Sequence, residues 1–74
     1  MIVGPYKKLE TRIFQSGIEK RELAERIGIS YVSLYKRLKG ETKWSLEEAY
    51  LVMQVLELPM DQLTVMFPVG VVIS

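Results

Sequence analysis

The feature that most constrains this chain is a stop and a restart within three residues. Residues 20–27, KRELAERI, set Leu23, Ala24 and Ile27 along one helical stripe. Gly28 follows and supplies the left-handed conformation that ends a helix. Only Ile29 separates that glycine from Ser30, whose hydroxyl suits the cap of a new helix. Ala24 is small among larger neighbours and lets a second helix come close.

A helix of about eight residues that halts, turns and restarts is the punctuation of a helix-turn-helix unit. The remaining sequence supplies helices around it. The first should open at Gly4-Pro5, because proline is favoured at the first helical position. Tyr6, Leu9 and Ile13 follow at helical spacing with Phe14 beside them, and Gly17 stops the helix with Ile18 folding back on Ile13 in a Schellman end. The third helix covers about 31–39 and stops at Gly40. After the polar loop GETKW, Ser45 and Glu48 form a capping box, and Trp44 stands where it can staple onto Ala49. The fourth helix runs to about Glu57 with Leu46, Ala49, Tyr50, Met53, Val55 and Leu56 apolar. Pro59 opens a short fifth helix through Leu63 to Met66, and the β-branched end FPVGVVIS is a short strand or an extended arm. The expectation is an all-α fold of four to five short helices, with a domain over residues 1–67 and an apolar C-terminal tail over 68–74.

Composition removes several classes of function. Seventy-four residues make one small domain, which buries only about 60% of its unfolded surface, so each apolar side chain is in demand. With no cysteine and no histidine, the commonest nucleophiles, general bases and zinc ligands are missing. The expectation is therefore no enzyme, no metal and no cofactor, in a reducing cytoplasmic setting. No apolar run reaches the roughly 20 residues of a membrane span, and no signal peptide opens the chain. Net charge is only +1, but it is unevenly spread. Residues 20–43 carry seven cations, Lys20, Arg21, Arg26, Lys36, Arg37, Lys39 and Lys43, against Glu22, Glu25 and Glu41. Residues 44–74 carry Glu47, Glu48, Glu57 and Asp61 and no cation. The basic middle is the candidate surface for a polyanion.

The segment ISYVSLYKRLKG sharpens that expectation. On a helical wheel Leu34, Leu38, Tyr31 and Tyr35 form an i, i+3, i+4, i+7 core set, with both tyrosine rings at least half buried. Val32, Ser33 and Lys36 then face away, flanked by Lys39 and Tyr35. A short aliphatic, a hydroxyl and a cation suit the floor of a DNA major groove: valine against a thymine methyl, serine on a base edge, lysine on guanine acceptors. Tyr31, in the first turn, brings its hydroxyl within reach of nucleic acid, and Tyr35 lies along the flank toward a phosphate.

Residues 18–63 resemble the Cro/C1-type (lambda-repressor-like) helix-turn-helix family of phage and bacterial regulators. The resemblance rests on ELAERIGIS at 22–30, SLYKRLKGE at 33–41 and WSLEEAYLVMQVLELPMDQL at 44–63, with Leu23, Ala24, Gly28, Ile29 and Leu34 at the spacing of the motif. It looks most like the small Cro-like regulators of phages and mobile elements. The resemblance implies that the third helix enters the major groove while the second crosses the backbone. Base-reading places then fall on Tyr31, Val32 and Lys36, with Ser33 close by. Phosphate-holding places fall on Lys20, Lys39 and Lys43, and further on Arg21, Ser30, Tyr35 and Arg37. The chain departs from the family at Glu19-Lys20, where threonine-glutamine is usual, at Lys39, where asparagine is common, and at Glu57, where glycine is common.

The implied partner is double-stranded DNA, and the implied role a sequence-specific transcriptional regulator, in the first instance a repressor. About five cations on phosphates would give a salt slope near −4 to −5. One such small face binds weakly, so a homodimer on two half-sites is expected. Its surface is expected at Leu63, Met66, Phe67, Val69, Val71 and Ile73, with a strand at 69–73 pairing with its symmetry mate. The competing reading is a protein–protein interaction module of the same fold, antitoxin-like or an anti-repressor, docking through its tail.

Overall fold

The computed structural model describes residues 5–72. Its helices are α1 (Lys7–Ser16), α2 (Lys20–Ile27), α3 (Tyr31–Lys39), α4 (Leu46–Val55) and α5 (Leu63–Met66), the last entered through a 3-10 turn at Met60–Gln62. There is no strand among the described residues, so the all-α expectation holds. α2 lies against α3 and α4, and α1 against α5.

Local chemistry places the boundaries. Gly28 has φ 80°, and its N–H and that of Ile29 donate to the carbonyls of Glu25 and Ala24, a Schellman end. Two residues on, the Ser30 hydroxyl accepts from the Ser33 N–H and starts α3. At Ser45 both halves of the capping box are made, so α4 starts where its sequence says. α4 ends at Val55, short of Glu57, because Glu57 itself turns left-handed at φ 55° and closes a second Schellman pair, Glu57 to Gln54 and Leu58 to Met53.

Three expectations are corrected. α1 starts at Lys7 behind Tyr6, not at Gly4-Pro5, and Gly4 lies outside the described residues. Its end is not a Schellman motif: the Ser16 hydroxyl donates to the Ile13 carbonyl at 2.7 Å and accepts from the Ile18 N–H at 3.3 Å, so a side chain relays the missing backbone bond. Phe14, beside the buried Leu9 and Ile13 in sequence, is 85% exposed.

The core draws on every helix. Leu23, Leu34, Val52 and Met53 are fully buried at its centre. One end is closed by three aromatic rings from distant parts of the chain. Trp44 meets Tyr6 at 6.4 Å and Phe67 at 5.2 Å, and Tyr6 meets Phe67 at 6.2 Å, all edge-on. Trp44 and Ala49 are both fully buried, which fits the staple at the start of α4. The tail is held by its own chain. Val72 donates to the Trp44 carbonyl at 2.8 Å and accepts from Leu46 N–H at 2.9 Å, a single parallel bridge beside Ser45. The 69–73 strand expected to pair with a symmetry mate is thus, over its described part, already paired at Val72.

Candidate nucleic-acid interface

α3 presents its surface because two leucines fix its roll. Leu34 and Leu38 are buried, and no other residue of α3 is. The side of α3 next to the leucines that is partly covered carries Ser33 and Arg37 rather than the tyrosines. Arg37 Nε donates to Glu48 Oε1 of α4 at 3.0 Å, both side chains less than one-fifth exposed. That pair ties the partly covered side of α3 to the start of α4. Tyr31 and Tyr35 keep 45% and 46% of their surface exposed: just over half covered, but on the outer face.

The outer face reads, along α3, Tyr31, Val32, Tyr35, Lys36 and Lys39. Val32 is 61% exposed, and no side chain of the described residues caps it or Lys36 with a hydrogen bond. Each tyrosine carries a cation. The Arg21 guanidinium of α2 lies 5.9 Å from the Tyr31 ring centre, and Lys39 Nζ 4.6 Å from that of Tyr35. These contacts place two cations against the tyrosines that adjoin Val32 and Lys36 in sequence. Lys43, in the loop after Gly40, is exposed on the same basic stretch.

Three of the expected contacts are already engaged. Arg37, expected at a phosphate, is the clip to Glu48. Lys20, likewise expected at a phosphate, has its Nζ 2.9 Å from Glu10 Oε1, the carboxylate largely covered. Ser33 is half-buried, and its hydroxyl accepts from that of Ser30 at 2.9 Å, leaving its own proton free to donate outward. Among the described residues, the cations of this surface that make no ion pair are therefore Arg21, Lys36, Lys39 and Lys43.

The apolar surface assigned to self-association divides. Met66 and Phe67 are buried in the chain's own core, at 8% and 2% exposure, because the aromatic cluster needs Phe67 as its third ring. Leu63 and Val71 pack partly against the core, Val69 is 59% exposed, and Ile73 lies outside the described residues. Wheel geometry missed the Arg37–Glu48 clip, in which Glu48 Oε1 accepts from Arg37 as well as from the Ser45 N–H of the capping box.

A family model described as helix-turn-helix matches residues 9–63. No curated protein and no solved structure matches the chain.

Proposed function

The chain belongs to the Cro/C1-type helix-turn-helix family, whose domains bind DNA and are not enzymes, and from that premise we propose that it is a sequence-specific regulator of transcription, a repressor that occupies its operator. The observation that carries the reading is the outward face of α3. Val32 and Lys36 project from a helix whose leucines are anchored, between the cation–aromatic pairs Arg21–Tyr31 and Lys39–Tyr35. An apolar side chain, a lysine and two phenol hydroxyls offer a thymine-methyl contact, a guanine donor and adaptable hydrogen bonds in one strip of major groove. Arg21, Lys39 and Lys43 hold the flanking phosphates, and Ser30 contacts the backbone at the helix start.

Repression on this reading needs no chemistry. Binding excludes the transcription machinery from the same duplex. A homodimer places two α3 helices one helical turn apart on a pseudo-palindromic site, with Leu63, Val69 and Val71 as its remaining apolar contacts.

The test is an anisotropy titration of the protein against the promoter next to its own gene, at two salt concentrations, with random duplex as control. Tighter binding to the promoter supports the reading. Equal affinity for both duplexes removes sequence specificity and with it the regulator.

A further inference from the structure

The geometry points to a second interface, away from α3: the groove between α1 and the segment Leu58–Met66 receives an acidic, amphipathic peptide segment of a partner protein. The groove holds about 580 Å³ and adjoins a second hollow of about 500 Å³ that shares Lys7, Lys8 and Val65 with it. No residue of α3 lines either one. This proposal stands independently of the DNA reading.

Two properties select the occupant. The floor is apolar, made by Leu58, Pro59, Val65 and Met66. A sugar-phosphate backbone has nothing to bury there, whereas leucine or phenylalanine side chains do, and methionine adapts to them. The rim on α1 is cationic. Lys7, Lys8 and Arg12 line the groove, none is in an ion pair among the described residues, and no carboxylate lines either hollow. The nearest acids in sequence are Glu10, which lines another hollow and pairs with Lys20, and Asp61, which is exposed beside Gln62 without lining either hollow. An apolar floor beside three cations that make no ion pair among the described residues, on the first two turns of one helix, complements a helix with leucines on one side and glutamates on the next.

The experiment uses the full chain, labelled with 15N, and follows amide shifts. The probe is a synthetic helix of about four turns with leucine at i, i+4 and glutamate between. Its control carries lysine for every glutamate. Saturable shifts at Lys8, Thr11 and Val65 with the acidic peptide alone are expected. Lys8→Glu with Arg12→Glu should weaken binding by roughly tenfold while circular dichroism stays native, since both side chains are exposed. Equal binding of the lysine control, indifference to the double charge reversal, or no saturable shift overturns the proposal. So do shifts at these amides with laurate or a duplex in place of the peptide, which would mark an anionic amphiphile or nucleic acid as the occupant. Salt-sensitive self-association of the protein alone at these amides also overturns it, by making a second copy the occupant.

Discussion

One carboxylate oxygen, Glu48 Oε1, accepts both the Arg37 Nε–H and the Ser45 backbone N–H, each at 3.0 Å. The same group thus caps α4 and links α3 to it. Glu48→Ala removes both contacts and is expected to cost about 1–2 kcal/mol of stability. Arg37→Ala keeps the cap and should cost less, roughly 1 kcal/mol. Urea denaturation of both single variants and the double variant measures the coupling. Additive losses would mean that the pair does not act as a clip.

The pairing of Lys20 and Arg37 changes the electrostatics of DNA binding. The three cations assigned to phosphates, Arg21, Lys39 and Lys43, give an expected salt slope of about −2.7 per protomer, or roughly a fortyfold loss of affinity between 50 and 200 mM salt. Lys36→Ala, at the bases, should cost roughly 1–3 kcal/mol on the preferred site, whereas Lys39→Ala, at a phosphate, should make the slope shallower by about 1. Arg37→Ala should leave the slope unchanged. A slope that falls equally with Lys39→Ala and Arg37→Ala would place Arg37 on the phosphates after all.

Most of the fold was legible because its signals are local. Gly28, Ser30, Gly40 and the Ser45–Glu48 box each satisfy backbone groups within a few residues, so the bounds of α2 and α3 and the start of α4 follow from chain order alone. The roll of α3 was not. Periodicity treats Leu34, Leu38, Tyr31 and Tyr35 as one apolar set and centres the core among them. The Arg37–Glu48 contact joins residues from two helices on the covered side of α3, opposite the exposed tyrosines, and no window within α3 contains Glu48. Phe67 was misread for a similar reason. Its partners Tyr6 and Trp44 lie far away in sequence, so a terminal apolar run looked like surplus surface.

Glu57 occupies a left-handed turn at φ 55° where its Cβ is crowded by its own backbone, and its side chain is exposed. The strain is of order 1 kcal/mol for a residue other than glycine. Glu57→Gly relieves it while the Schellman bonds to Gln54 and Met53 persist. The expected gain is about 0.5–1 kcal/mol, seen as a Tm higher by roughly 2–8 °C. A lower Tm would show that the glutamate makes a compensating interaction.

Phe67 separates core from interface. As the third ring of the cluster with Tyr6 and Trp44, its replacement by alanine should cost about 3–5 kcal/mol. That loss should appear equally at low and high protein concentration, because the ring is covered by its own chain. Val69→Asp, at an exposed site, should leave monomer stability nearly unchanged and instead lower the dissociation midpoint of any dimer. Sedimentation and urea titration at several concentrations distinguish the two. Concentration-dependent stability lost in Phe67→Ala would return that residue to an intersubunit contact.

Tyr6 makes stability depend on alkaline pH. Its ring is 2% exposed, and burial pushes its phenol above the ordinary value of 10.0 by penalising the phenolate. The folded chain therefore holds this proton more tightly than the unfolded chain. The resulting contribution is fully present below pH 10.0 and is lost as pH rises through that value toward the raised one. Tyr6→Phe keeps the ring and its edge-on contacts with Trp44 and Phe67 but removes the ionisation. Its urea midpoint should fall less steeply than that of the natural chain above about pH 10. Identical alkaline slopes in the two proteins would show that the fold opens without meeting the cost of a buried phenolate.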